Sequence, residues 1–259
     1  MKITILTLFP EMFTGFLTNS IIKRALGKGI AEVQIINIRD YTKDKYGRVD
    51  TPPVGGGAGL IMKCQPIVDA ILDNKTPNSR VVLLSPRGKT FKQPTAHEYA
   101  KLEHLVIVCG HYEGVDERVN KYVDELVSIG DFILTGGEIA AMAIGDAVIR
   151  LLDGAIANES SVEETFENGL LEYPQYTEPY DYMGEKVPDL LYSGNHAAIT
   201  KWRQKHSLKL TRVYRPDLWK AYSPTKVDLK LIKEIDNNEI GKWETEALVK
   251  GQKFLKGKE

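Results

Sequence analysis

The sequence predicts an α/β fold in which helices cover both faces of a mostly parallel β-sheet. Short apolar runs of strand length alternate along the chain with segments whose apolar residues recur at helical spacing, and this alternation is typical of parallel βαβ units. Several apolar runs stop at glycine, as strands do where they pass into loops at the edge of such a sheet. With 259 residues and 42% hydrophobic content, the chain can bury a sizeable core in one large or two modest domains.

The first half of the chain contains most of the predicted elements. The apolar run Lys2–Leu8 predicts a strand. Pro10 favours the start of a helix, and apolar residues follow it at helical spacing until Gly27 and Gly29 end the pattern. The further predicted elements are a strand at Glu32–Ile38, a helix at Gln65–Leu72, a strand at Arg80–Leu84, a helix at Pro94–Leu102 and a strand at Leu105–Cys109.

A polar stretch, Arg39–Asp50, lies between the second strand and the next helix, and the glycine-rich segment Thr51–Gly59 follows it. The glycines do not form a phosphate-binding Walker loop, because no Gly-Lys-Ser/Thr sequence comes after them. Two interpretations of the segment stay open here: a loop that closes over a substrate, or a simple linker.

Three glycine-containing loops form the best candidate for a ligand site. One begins at Ser85, one at Gly110 and one at Ile129, and the last includes a predicted strand, Phe132–Leu134, that stops at a pair of glycines. Because glycine allows a close approach of the backbone, such loops offer mainly amides and carbonyls to a small molecule. Ordinary turns are the alternative for any single loop. The fingerprint G-x-G-x-x-G is absent from the strand ends, so an ordinary Rossmann site is not predicted.

The segment Ile139–Leu152 predicts a helix that is apolar almost all round. Such a helix is buried inside its own protein or against a second copy of it, and we favour a dimer interface. Asp146 and Arg150 are four residues apart, so an ion pair along the helix is the simplest structural role for Arg150.

Charge and cysteine content restrict the class of protein. The net charge is only −1, but the residues from Ser161 to Asp189 sum to −7 and those from Asn195 to Lys230 to +7, which predicts a basic face in the last third of the chain. The two cysteines, Cys64 and Cys109, are far apart and suit reduced thiols in a cytoplasmic protein. The apolar start is too short for a signal peptide or a membrane span.

The chain also carries a series of long motifs in a fixed order. They are LTLFPEMF (6–13), GGGAG (55–59), LLSPRG (83–88), VCGHYEGVDERV (108–119), SIGDFILTGGEIAAM (128–142), GLLEYPQYTEP (169–179) and SGNHAAITKWR (193–203). Together they closely resemble the bacterial tRNA guanine-N1 methyltransferases that modify guanine at position 37, beside the anticodon. The resemblance covers roughly residues 1–215, whereas the tail after about Ala221 is not informative.

This resemblance implies a SPOUT-type α/β parallel sheet with a C-terminal trefoil knot made of the three loops, plus a small, mainly helical domain. It implies a knotted domain at 1–160, an interdomain linker at 161–175 and a helical tRNA-binding domain at 176–259. It also implies a homodimer that binds S-adenosylmethionine in the knot. Carried over residue by residue, the cofactor-binding residues are Leu83, Leu84, Ser85, Pro86, Gly110, Tyr112, Glu113, Gly114, Ile129, Gly130, Phe132, Leu134, Gly136 and Gly137.

The implied reaction makes demands on two further residues. Guanine N1 becomes nucleophilic only as its proton leaves, and the resulting charge spreads to O6, so the enzyme needs a general base near N1 and a positive group near O6. The resemblance assigns the base to Glu164 and the O6 partner to Arg150. The usual base in the family is aspartate, and here Glu163, beside Glu164, is the alternative.

The family's activity is associated with Mg²⁺. Glu163, Glu164 and Asp146 are candidate participants in metal binding, but no ligand cluster in the sequence identifies the metal site.

The segment Lys201–Arg215 carries six basic residues and no acidic one. Such cations neutralise phosphates, and the resemblance implies that this part of the chain grips tRNA. For Trp202 we predict a place in a small helical core rather than stacking on a base.

Two other functions stay open on sequence alone: a SPOUT methyltransferase acting on another RNA, and an RNA-binding homologue that has lost activity.

Overall fold

The computed structural model describes residues 1–156 and 169–256 of the chain. The chain divides into two compact units, an N-terminal unit, Met1–Ser161, and a C-terminal unit, Val162–Glu259. In the described ranges, no helix is both long enough and apolar enough to cross a membrane.

A parallel β-sheet forms the centre of the N-terminal unit, as the alternation of strands and helices predicts. Its strands are β1 (Lys2–Thr7), β2 (Glu32–Asn37), β5 (Ser79–Thr90), β6 (His104–Val108) and β7 (Glu125–Ser128), while the short strands β3 (Asp50–Thr51) and β4 (Ile61–Met62) pair separately. In the described part of the chain the sheet has five strands in the order β2-β1-β6-β5-β7. All neighbouring strands are parallel, so their carboxyl ends share one edge.

Helices lie on both faces of this sheet. The α-helices of the unit are α1 (Thr14–Thr18), α2 (Ser20–Gly27), α3 (Cys64–Asn74), α4 (Gln93–Ala100) and α5 (Glu138–Ile149), and 3-10 helices occur at Pro10–Phe13, Ile38–Tyr41 and Glu117–Tyr122. Alternate strand residues enter different hydrophobic clusters: Ile5 and Ile107 join α5, whereas Leu6 and Val106 join α3. This period of two is the direct consequence of side chains alternating across a strand.

The helix predicted after Pro10 is interrupted, and the prediction of one continuous element is wrong. A 3-10 turn, α1 and α2 follow one another, and the break falls at Asn19, directly before Ser20 begins α2. Ser20 has a φ of 52°, a left-handed conformation that ends a regular helix. The Asn19 side-chain amide donates to the carbonyl of Gly15 at 2.9 Å, so it bonds the backbone locally, a known competitor of helix continuation.

The strand predicted at Phe132–Leu134 is also wrong. None of its residues belongs to a strand, and the side chains of Phe132 and Ile133 are 53% and 79% exposed. The strand of this region is β7, which lies earlier and ends just before Ile129. Apolar composition alone identified a loop as a strand, because periodicity does not distinguish a short apolar loop from a short buried strand.

Helix α5 begins at Glu138 and ends at Ile149, so it is slightly shorter than the predicted Ile139–Leu152. Ala141, Ile144 and Val148 are at most 1% exposed, and they pack in the same cluster as the central strands. Burial in its own unit therefore accounts for much of the apolar composition, although Ile139 remains 48% exposed.

The described part of the C-terminal unit is mainly helical. Its helices are α6 (His196–Tyr214), α7 (Pro216–Ala221), α8 (Lys226–Asp236) and α9 (Lys242–Lys256), with a 3-10 turn at Asp189–Tyr192 and two short paired strands, β8 (Asp181–Tyr182) and β9 (Glu185–Lys186). Trp202 is 4% exposed and packs in a small cluster with Leu190 and Ala247. The prediction that Trp202 is a core residue is therefore confirmed.

A buried carboxylate, Asp228, connects three helices of this unit and is 2% exposed. Its oxygens accept hydrogen bonds from the Gln204 side chain on α6, the Tyr222 hydroxyl at the end of α7 and the backbone N–H of Thr225, each at 2.8 Å. Burial by itself raises the pKa of Asp228, but the hydrogen bonds from Thr225 and Gln204 outweigh it and hold this pKa below its usual value.

We expect Asp228→Ala to lower the free energy of unfolding of the C-terminal unit by about 2 kcal/mol or more, because it removes the charged acceptor of three partly buried hydrogen bonds. Trp202, Trp219 and Trp243 all lie in this unit, so urea unfolding followed by tryptophan fluorescence measures it selectively. Because the folded-state pKa is lowered, the contribution of Asp228 is complete above the unfolded pKa of about 3.9 and disappears as the pH falls through the folded-state value.

Asp236→Ala is the matched control for this measurement. Asp236 forms an ion pair with Arg212, and both side chains are nearly half exposed. Exposed pairs contribute about 0–1 kcal/mol, so the control should unfold nearly as the unchanged chain does. An equal loss of stability in the two variants would contradict a supporting role for the Asp228 network.

Candidate active site

A cavity of about 680 Å³ opens in the N-terminal unit, where the loops after β6 and β7 meet a loop within β5. These are the three loops singled out in the sequence: the first loop (Ser85–Gly88), the second loop (Gly110–Gly114) and the third loop (Ile129–Gly137). All the residues assigned to cofactor binding line this one cavity. They are Leu83, Leu84, Ser85, Pro86, Gly110, Tyr112, Glu113, Gly114, Ile129, Gly130, Phe132, Leu134, Gly136 and Gly137.

The first loop is an excursion from β5 rather than a passage from strand to helix. Val127 of β7 pairs with both Leu84 and Lys89, so the residues between them leave the ladder and return to the same partner. A Cβ atom at Gly88 would collide with the backbone of Val127, which means that only glycine permits this return. The loop is thus anchored to β7 at both ends.

The second loop is tied to the end of the glycine-rich segment. The N–H of Glu113 donates to the carbonyl of Leu60 at 3.1 Å, and the N–H of Met62 donates to the carbonyl of Gly114 at 3.0 Å. Tyr112 and Gly114 have φ values of 59° and 132°, so the loop takes a sharp, left-handed turn that points its backbone toward the cavity.

The third loop packs closely against the second. The N–H of Gly137 donates to the carbonyl of Gly110 at 2.8 Å, and Gly136 forms an isolated antiparallel bridge with His111. A Cβ atom at Gly137 would lie 2.8 Å from the Cα of Cys109, closer than side chains approach a backbone. The two glycines therefore allow two loop backbones to touch.

A buried carboxylate, Glu138, lies next to the contact between the second and third loops. Its burial was not predicted from the sequence. Glu138, the first residue of α5, is 2% exposed and accepts a hydrogen bond from the Thr7 hydroxyl at 2.8 Å. Its other oxygen lies 3.8 Å from Nδ1 of His111, a side chain in the cavity wall. The amino end of a helix stabilises negative charge, which favours a carboxylate here. The only signal in the sequence was an acidic residue directly after the glycine pair.

Charged side chains occur at the rim of the cavity. Arg87 donates to Glu117 at 2.9 Å, and this hydrogen bond lowers the pKa of Glu117. Burial, followed by hydrogen bonding to Asp50, raises the pKa of Tyr112. Glu113, Arg87 and Glu117 all line the cavity. Because Arg87 pairs with Glu117, Glu113 is the carboxylate that can meet a ligand with positive charge.

The two residues assigned to catalysis are in different situations. Arg150 follows α5 as its C-cap, is half-buried, and its N–H donates to the carbonyl of Asp146 at 3.1 Å. Glu164, like its neighbour Glu163, lies outside the described residues. Across residues 1–156 and 169–256 there is no group of three or more His, Cys, Asp or Glu side chains able to hold a metal ion.

Comparisons with known proteins agree on one family. The family model described as tRNA (Guanine-1)-methyltransferase TrmD matches residues 1–221. The tRNA (guanine-N(1)-)-methyltransferase of Clostridium beijerinckii is 54% identical over 239 residues, which are 92% of this chain and 100% of that protein. Proteins of the same name from Clostridium botulinum (strain 657 / Type Ba4) and Dictyoglomus turgidum are 53% and 51% identical, over 91% of this chain and 99% and 96% of their own lengths.

Proposed function

The chain belongs to the tRNA (guanine-1)-methyltransferase family, and from this premise we propose that it methylates N1 of guanine at position 37 of tRNA with S-adenosylmethionine as methyl donor. Methylation of tRNA guanine at N1 is the activity for which the family and its relatives are named. The observation that carries the proposal is the cavity, because it brings together every residue that the motifs assign to the donor. The proposed substrate locates the reaction in the cytoplasm.

The cavity fits S-adenosylmethionine in size and chemistry. Its volume of about 680 Å³ lies within the range of about 300–1,000 Å³ that is usual for ligands of this size. Apolar side chains such as Leu84 and Leu134 suit the adenine ring, while the carboxylate of Glu113 suits the positive charges of the methionine part. The glycines bring amides and carbonyls to the surface, and these can read the polar edge of adenine.

When bound, S-adenosylmethionine supplies an electrophilic methyl group on its sulfonium sulfur. Transfer of that methyl group breaks the carbon–sulfur bond and leaves a neutral thioether. Attack by a ring nitrogen on such a methyl group is an in-line displacement, so the main task of the protein is positioning. The first, second and third loops position the donor. They can hold it rigidly because each loop is tied to a strand or to another loop by the contacts described above.

The acceptor guanine must lose its N1 proton during the reaction, and residues of this chain assist that loss. Glu164 takes the N1 proton as general base, and the Arg150 guanidinium stabilises the charge that develops on O6. Arg150 lies at the carboxyl end of α5, whose amino end contributes to the wall of the cavity. The same helix therefore carries a cavity residue, Ala140, near its amino end and the proposed O6 partner at its carboxyl end.

The trefoil knot, the homodimer and the grip on tRNA by the C-terminal unit are further parts of the proposal. Support for the dimer comes from Phe132, Ile133 and Ile139, large apolar side chains that are 53%, 79% and 48% exposed and that a second copy would cover. Sedimentation is expected to give a dimer at the concentrations at which the enzyme is active. A stable and active monomer would contradict this part of the proposal.

The direct test uses labelled S-adenosylmethionine and two tRNA transcripts that differ only in guanine or adenine at position 37. We expect label in the guanine transcript, at N1 of that base, and none in the adenine transcript. Label in both transcripts at another guanine would reject the position, and cofactor binding without any transfer to tRNA would reject the enzymatic function.

A further inference from the structure

An exposed tyrosine with two cations beside it stands on the loop between β2 and β3. Tyr46 is 69% exposed, and its ring centroid lies 4.8 Å from Nζ of Lys45 and 5.2 Å from the guanidinium carbon of Arg48. Cations at such distances are attracted to the face of an aromatic ring. The combination of an accessible ring and flanking cations is the one that binds unpaired bases and their phosphates.

The loop Arg39–Asp50 holds this tyrosine in an ordered conformation. Oδ1 of Asp44 accepts the N–H of Tyr46 at 2.8 Å, and the Asp44 carboxylate also accepts two side-chain donors of Arg48. The Arg39 guanidinium closes the turn by donating to the carbonyl of Gly47 at 2.9 Å. Hydrogen bonding from Arg48 holds the pKa of Asp44 at about 2, so this clamp persists throughout the neutral range.

The positive side chains of the loop Arg39–Asp50 are exposed, whereas two of its three carboxylates, Asp44 and Asp50, are partly buried. Four cations are exposed: Arg39, Lys43, Lys45 and Arg48. The side chains of Lys43 and Arg48 are 78% and 62% exposed, whereas that of Asp44 is 18% exposed. Asp50 is half-buried, and Asp40 is the exposed carboxylate of the loop. Lys43 pairs with Asp69 and Arg48 with Asp44, each at 3.0 Å. The loop still has a net charge of +1, and its exposed charged side chains are mostly cations, which suits a polyanion.

The loop lies at the same edge of the sheet as the cavity. It follows the carboxyl end of β2, which is parallel to the strands that carry the second and third loops. Asp50, at the end of the loop, is close enough to Tyr112 in the cavity wall to raise the pKa of that hydroxyl. The cavity and this cationic loop therefore both lie at the carboxyl ends of the strands.

We infer that the loop Arg39–Asp50 is an RNA-contact surface of the N-terminal unit, at which Tyr46 stacks on an unpaired base of the substrate tRNA and Lys43, Lys45 and Arg48 contact the neighbouring phosphates. The inference rests on the proposed function and adds a second contact to the basic C-terminal unit. Unpaired loop bases near the methylated guanine are the natural partners, because stacking on aromatic rings is the usual way in which proteins bind single-stranded RNA.

The first test replaces Tyr46 with alanine and with phenylalanine in the full-length protein. We expect Tyr46→Ala to weaken binding of a tRNA transcript by about 5- to 100-fold, in line with the loss of one base stack, and Tyr46→Phe to bind like the unchanged chain because it keeps the ring. Tyr122→Ala is the matched control, since Tyr122 is also exposed (40%) but precedes β7, at the opposite edge of the sheet. Calorimetry should show unchanged affinity for S-adenosylmethionine in all three variants.

The second test examines the cations. Replacing Lys43 and Lys45 together with alanine should reduce the slope of log K against log salt by about 1–2, since each lost phosphate contact contributes roughly 0.7–0.9. Lys75 and Lys101 precede β5 and β6 and are exposed at the opposite edge, so the double change there should leave the slope unaltered.

Two outcomes are decisive and can be told apart. If the unchanged chain binds and methylates tRNA while the Tyr46 and lysine variants bind within about twofold of it, the inference is wrong and the proposed function stands. If the unchanged chain neither binds nor methylates tRNA, the proposed function and the inference are both overturned.

Discussion

Replacing Gly110 with valine is expected to weaken the binding of S-adenosylmethionine by about 5- to 150-fold, because overfilling a fixed cavity wall costs about 1–3 kcal/mol. Gly110 lines the cavity, and its carbonyl accepts the hydrogen bond from Gly137 that joins the second and third loops. A Cβ atom there would lie 3.3 Å from a methyl carbon of Val115 and 3.5 Å from the carbonyl of Leu84. These contacts are tight but tolerable, so the fold should survive while the added methyl groups fill the site.

Two further variants separate loss of binding from loss of structure. Gly110→Ala adds one carbon instead of three and should give an intermediate affinity. Gly27→Val is the control, because Gly27 is exposed and a Cβ atom there meets nothing within 4 Å. Calorimetry measures the affinity and circular dichroism the thermal unfolding. Unchanged affinity in Gly110→Val would remove the second loop from the donor site.

The sheet could be predicted from the sequence because its strands obey simple rules. Ile3, Ile5 and Ile107 belong to runs that are buried on both faces and flanked by helices, and such runs are nearly continuous in hydrophobicity. The break at Asn19 and Ser20 could not be predicted in the same way. A left-handed serine leaves the spacing of apolar residues on either side almost unaltered, so the helical pattern continues across it.

The residues of the cavity could be predicted only as members of motifs. Their glycines indicated loops, but the meeting of Gly110 with Gly137 depends on the order of β6, β5 and β7 in the sheet, which no local pattern contains. Glu138 shows the limit clearly. Its burial, the hydrogen bond from Thr7 and its approach to His111 depend on residues more than 20 positions away in the chain, so no local pattern distinguishes it from an ordinary acidic residue in the first turn of a helix.

Glu164→Gln is expected to lower the single-turnover rate of methyl transfer by about 100-fold or more, in line with the usual contribution of a general base. The change keeps the shape of the side chain and removes its ability to take the N1 proton. A glutamate and an aspartate have unperturbed pKa values of about 4.3 and 3.9, so the glutamate is basic enough, and what matters is the reach of its longer side chain. Affinities for tRNA and for S-adenosylmethionine should change little, because the lost interaction belongs to the transition state.

Glu163→Gln is the matched control, since it removes the same charge one residue earlier. If Glu164 is the base, this variant should retain most of the rate, and its pH–rate profile should keep the acidic limb that ionisation of the base produces. The reverse order of activities would assign the base to Glu163, the alternative that the resemblance leaves one residue earlier. Full activity in both variants would reject a carboxylate base, and the proton would then have to leave N1 by a route that involves neither side chain.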